Sequence, residues 1–216
     1  MTREGLPYEA LRIPPCQPGM TIGLYGGSFN PPHAAHEHVA ATALTRLGLD
    51  RVWWLVTPGN PLKSHNELAS LSDRMAAVES LADHPRFVIT ALEAGYGLTY
   101  SADTVSFLVS RCPGVHFVWI MGADNLASFH RWERWRDIAE LVPIVIVDRP
   151  GSSLAPLSAP MAQIYASARV DESKVRAFGL RPPPAWTFLH APRSHLSSTM
   201  IRQQRKDSGS GIAGLS

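Results

Sequence analysis

Six short apolar runs recur along the chain, at Met20–Tyr25 (MTIGLY), Arg51–Thr57 (RVWWLVT), Arg86–Leu92 (RFVITAL), Val115–Met121 (VHFVWIM), Pro143–Val147 (PIVIV) and Ala185–Leu189 (AWTFL). Their length and their β-branched and aromatic content read as strands. Stretches of helical character lie between them. From His33 onward, apolar residues fall at helical spacing through Val39, Ala40, Ala43, Leu44 and Leu47. Ser70 and Asp73 have the spacing of a capping box at a helix start. Ala102–Arg111 reads as a helix that Cys112-Pro113-Gly114 stops, and Ser198–Lys206 as a last helix. Strands separated by helices specify an α/β protein with a Rossmann-like parallel sheet and helices on both faces.

In such sheets ligands bind outside the carboxyl ends of the strands. That is where the unusual residues of this chain gather. GGSFNPPH follows the first strand, and Pro58, Gly59, Asn60 and Lys63 follow the second. Gly122-Ala123-Asp124-Asn125 ends the fourth, and His195-Leu196-Ser197-Ser198-Thr199 follows the sixth. A glycine turn between strand and helix lets a ligand approach bare backbone, and it aims the helix's unpaired N–H groups at that ligand. A phosphate is the natural guest.

His33 and His36, three residues apart, share one face of a helix and can both donate to phosphate oxygens. A plain helix-capping pair is the bland alternative. A zinc site drawn from His33, His36 and His38 is the weaker reading, because His38 points elsewhere at helical spacing and no HExxH or CxxC accompanies it. Ser198 and Thr199 suit a helix cap, and Arg202 lies one turn further on, where a guanidinium can meet the anion that a helix start attracts.

With 216 residues, 45% hydrophobic and 18% charged, the chain has the makeup of an ordinary globular protein. Residues 20–206 read as a single domain, 1–19 as an N-terminal extension that could be poorly ordered, and 207–216 as a flexible tail. A net charge of +2 without a basic stripe argues against a nucleic-acid partner. No run is long enough for a membrane span or a signal peptide, so no membrane partner is expected. Two cysteines, Cys16 and Cys112, make no disulfide framework and suggest a reducing compartment, hence the cytoplasm. The oligomeric state stays open, a homo-oligomer included.

GGSFNPPHAAH, GADN and SSTMIR together closely resemble the nucleotidyltransferase superfamily marked by HxGH and ISSTxxR motifs. WWLVTPGNPLK, LTYSADT and MGADNLASFHRWERW are similar in particular to the bacterial nicotinate-nucleotide adenylyltransferase family, and the likeness runs from about Thr21 to Arg202. Two positions depart from the pattern: Ala35 stands at the usual Gly, and Leu196 at the usual Ile. The resemblance implies adenylyl transfer from ATP to nicotinate mononucleotide, with Mg²⁺ held mainly by phosphates and no metal ligand from protein side chains. It implies that Gly26, Gly27, Ser28 and Phe29 hold the nucleotides and that His33 and His36 stabilise the transition state. Lys63 and Arg202 would take phosphate charge, while Ser198 and Thr199 cradle the phosphates of ATP. Gly122 and Asp124 would line the adenosine site; Thr99 and Tyr100 would meet the nicotinate carboxylate, and Trp132 would stack on the pyridine ring. Trp135 reads as core, and Arg74 as structural or peripheral.

Two other classes compete. Within the superfamily, the acceptor could be phosphopantetheine or an alcohol phosphate, against which TYSADT and HRWERW argue. Outside it stands a dinucleotide-binding oxidoreductase or a non-catalytic nucleotide sensor. GLYGGSF lacks GxGxxG, and the histidine pair would then have no task.

Overall fold

A computed structural model describes residues 5–59, 68–148 and 158–190. Its six strands are β1 Thr21–Gly27, β2 Arg51–Val56, β3 Phe87–Thr90, β4 His116–Gly122, β5 Ile144–Val147 and β6 Trp186–Leu189. All pair in parallel, in the order β3-β2-β1-β4-β5-β6. The doubly wound α/β sheet expected from the sequence is therefore present. Chain order reverses between β1 and β4, and a crevice opens at such a switch point, above the carboxyl ends of the two strands.

The near-continuous apolar character of the strands follows from burial on both faces. Successive side chains on a strand point to opposite faces, so each run feeds two cores. Val52, Trp54 and Val56 of β2, with Val118 and Ile120 of β4, join one core; Trp53, Leu55, Phe117, Trp119 and Met121 join the other. Helix α1 (Ala34–Leu47) covers the first face with Val39, Ala40, Ala43, Leu44 and Leu47, beside α2 (Leu71–Leu81) with Met75 and Val78. The second face is covered by α4 (Ser101–Arg111), α5 (Ala123–Phe129), α6 (Trp135–Leu141) and α7 (Pro160–Ile164).

Local signals set the helix ends, and the start of α2 lies where it was expected. Ser70 Oγ accepts the Asp73 N–H at 3.1 Å and starts α2. Gly48, at φ +67°, ends α1 in the left-handed conformation that glycine enters without a Cβ penalty. The strand expected over Arg86–Leu92 is shorter, and a helix α3 (Leu92–Tyr96) replaces its end. The N-terminal segment supplies the reason. Ala10's carbonyl accepts the Ala91 N–H at 2.8 Å and the Thr90 hydroxyl at 3.0 Å, while Thr90 Oγ1 takes the Leu92 N–H at 3.1 Å. These bonds turn the chain out of the sheet. The same segment packs Leu6 into the core at 3% exposure. Among the described residues, no helix is long and apolar enough to cross a membrane.

Candidate active site

At the carboxyl end of β1 the chain passes through Gly26, Gly27, Ser28 and Phe29 into α1. A Cβ on Gly26 would stand 3.0 Å from the Trp119 ring, and one on Gly27 would stand 3.0 Å from the Phe29 ring. Neither contact leaves slack, so both positions suit glycine. Phe29 takes φ +46°, an uncommon conformation for a bulky residue. The whole residue is 3% exposed, and its ring makes edge contact with Tyr25 at 5.5 Å and His36 at 5.2 Å.

His33 is not inside the helix but at its N-cap, with extended backbone, and His36 is the third helical residue. The two rings nevertheless come together, with centroids 3.8 Å apart and planes at 31°. The His33 backbone N–H donates to Nδ1 of His36 at 3.1 Å. In the neutral ring the proton of His36 therefore sits on Nε2. His38 is turned into its surroundings, with Nε2 buried and without a hydrogen-bond partner.

Gly122 ends β4 and is the N-cap of α5, and Asp124 lies exposed in that helix's first turn. Because β4 pairs with β1, these residues adjoin the glycine turn across the switch point. Trp119 links the two sides below: it meets the position of Gly26 and stands edge-on to Trp132, centroids 6.3 Å apart at 87°. Phe129 gives Trp132 a second edge contact at 5.4 Å. Both contacts are edge-on, and Trp132 stays partly exposed. Trp135 is buried at 7% and packs on Phe129, as a core residue should.

Thr99 and Tyr100 are exposed just before α4, with Tyr100 at its N-cap. An ion pair between Asp103 of α4 and Arg134 ties this end of the helix to the segment carrying Trp132. Behind it, Glu93 of α3 accepts the Thr104 hydroxyl at 2.8 Å. Burial pushes the Glu93 carboxyl up from 4.5 to about 7, against a smaller lowering by the Thr104 hydrogen bond.

Four residues expected in the site, Lys63, Ser198, Thr199 and Arg202, lie outside the described residues, as does the helix expected over Ser198–Lys206. Three residues that brace the site were not singled out for it: Asn30, Trp119 and Arg134. Arg74, expected to be structural or peripheral, is buried at 2% exposure. The SDRM stretch carries no sign of this, because three of the four carbonyls it binds come from other loops.

The profile of the cytidylyltransferase-like family matches residues 24–204. A protein of Agrobacterium fabrum named "Probable nicotinate-nucleotide adenylyltransferase" is 56% identical over 187 residues, covering 87% of this chain and 100% of its own. One of the same name from Methylorubrum extorquens is 58% identical over 183 residues, covering 85% of this chain and 99% of its own. Among solved structures, the Plasmodium falciparum nicotinic acid mononucleotide adenylyltransferase complexed with NaAD superposes with a TM-score of 0.60 at 18% identity. That match covers 85% of this chain and 83% of the other, a likeness of fold.

Proposed function

We propose that this chain, which belongs to the nicotinate-nucleotide adenylyltransferase family within the cytidylyltransferase-like group, transfers the adenylyl group of ATP to nicotinate mononucleotide. The products are deamido-NAD and pyrophosphate, a step of NAD biosynthesis. One observation carries the reading: a glycine turn and two stacked histidines stand at the β1–β4 switch point, where a parallel sheet receives a nucleotide.

The acceptor's phosphate oxygen attacks the α-phosphorus of ATP in line. One P–O bond forms, the bond to the β-phosphate's bridging oxygen breaks, and pyrophosphate carries away the electron pair. Such a reaction asks for positioning and charge stabilisation rather than a protein nucleophile. Gly26, Gly27, Ser28 and Phe29 offer backbone to the nucleotides, and His33 and His36 donate to the phosphates as charge builds. Lys63 and Arg202 take phosphate charge, and Ser198 and Thr199 hold the ATP phosphates. Gly122 and Asp124 line the adenosine. Trp132 stacks on the pyridine ring while Thr99 and Tyr100 meet its carboxylate.

Asp124 is the one carboxylate among the named site residues. That donor set fits Mg²⁺ held mainly by the substrates' phosphates, whose charge it neutralises when bound. A cytoplasmic setting is part of this proposal, since two cysteines make no disulfide framework.

The purified protein with ATP, Mg²⁺ and a panel of acceptors, followed by pyrophosphate release, tests the whole reading. Nicotinate mononucleotide should be used, and at least about 10²-fold better in kcat/KM than nicotinamide mononucleotide. An amide in a pocket of donors leaves one polar group unpaired, at roughly 1–3 kcal/mol, and the acid gains charge-assisted bonds. Turnover of phosphopantetheine in its place, or no pyrophosphate with any acceptor, overturns the assignment.

A further inference from the structure

Arg74 is a charged side chain in the core, at 2% exposure. Its guanidinium is spent on backbone carbonyls from three places. Nη1 donates to Ser28 O at 2.7 Å and Thr57 O at 2.8 Å, Nη2 to Pro58 O at 3.3 Å, and Nε to Ala69 O at 3.0 Å. Ser28 belongs to the glycine turn, and Thr57 and Pro58 to the loop leaving β2. The planar fork of arginine can meet several carbonyls in one plane, which the single ammonium of lysine cannot.

The consequence lies on the other side of those peptide planes. In a trans peptide, C=O and N–H point in opposite directions. With Ser28 O bound to Arg74, the N–H of the same plane, that of Phe29, points away from the guanidinium. With Pro58 O bound, the Gly59 N–H does likewise. The Thr57–Pro58 plane has no N–H to offer. A second bond supports the arrangement: Asn30 Oδ1 accepts the Ala69 N–H at 3.2 Å, tying the glycine turn to the start of α2. Phe29, held at φ +46°, is the strained residue that such bracing must keep in place.

We propose that Arg74 is a positioning residue that aims the N–H groups of Phe29 and Gly59 at the substrates' phosphates. It touches neither substrate. By drawing carbonyl oxygens to itself it also keeps their negative ends away from the anionic ligands. The proposal rests on the adenylyl-transfer reading above, and the acceptor panel on unaltered protein tests that reading separately.

Arg74→Lys keeps the charge and loses the fork. At a temperature well below the variant's own Tm, its kcat should fall on the order of 10–10²-fold while both KM values move only a few-fold, because misaimed donors are missed most in the transition state. A merely structural arginine would lower Tm and leave kcat per folded molecule unchanged, and a folded Arg74→Lys enzyme with kcat within about twofold of wild type overturns the proposal. A measurement on the wild-type protein stands if the variant does not fold. Amide hydrogen exchange at Phe29 and Gly59 should slow on the order of tenfold or more when ATP and Mg²⁺ are added; unchanged exchange at both also overturns it.

Discussion

The two sides of the switch point are held by different means. On the β1 side, a buried guanidinium grips four carbonyls, and the glycine turn has its ring, Phe29, sunk in the core. On the β4 side, the two walls that would enclose the acceptor's ring are bridged by an exposed ion pair, Asp103–Arg134, with side chains 37% and 45% exposed. Such a pair contributes about 1 kcal/mol or less. On the proposed reading, the phosphates would meet backbone fixed from behind, and the acceptor's ring would meet walls joined by half-exposed side chains. On that reading rigidity would sit where the ligand is constant, because the phosphates recur whereas the acceptor ring is what must be told apart.

Breaking the rigid side should have the largest effect. His36→Ala removes a donor whose tautomer is set by the His33 N–H, and kcat should drop on the order of 10²–10³-fold with ATP still bound. Steady-state kinetics beside thermal melting check this; near-normal turnover in a folded variant would show that the stacked histidines only cap the helix.

The other side should respond to pH. Glu93, pushed up to about 7 mainly by burial, holds its proton more tightly folded than unfolded. Its contribution to stability is therefore complete below about pH 4.5 and is lost as pH rises through 7. A buried charge remains above that point, worth on the order of 3 kcal/mol. Glu93→Gln should match wild type near pH 5 and melt higher at pH 8. Melting curves across that range would show a gap that grows with pH, and a constant gap would sink the idea.

A smaller and more selective effect is expected at Trp132. Aromatic stacking on a heterocycle contributes roughly 1–3 kcal/mol. Trp132→Ala should raise the KM of nicotinate mononucleotide by about tenfold or more and leave that of ATP within a few-fold. Equal rises in both KM values would mean that this ring, edge-on to Trp119 and Phe129, supports the whole crevice rather than one substrate.

What could be read from the chain alone was what neighbouring residues decide among themselves. The six strands, the start of α2 at Ser70 and the glycine turn after β1 are matters of side-chain period, a local cap and a short turn, and each sits within a few residues of where it was read. The motif resemblance belongs here too, since GGSFNPPHAAH and GADN are contiguous. Only the tertiary structure decided the rest. The early end of β3 depends on Ala10, eighty residues away from Thr90. The short helices α5, α6 and α7 carry too few turns to show a period of their own, and exist because they cover the sheet's second face. Arg74 looks like any arginine on a helix until Ser28 arrives from 46 positions upstream to meet it. A hydrogen bond's value to a buried group depends on which partner the fold delivers, and no local pattern of residues specifies that partner.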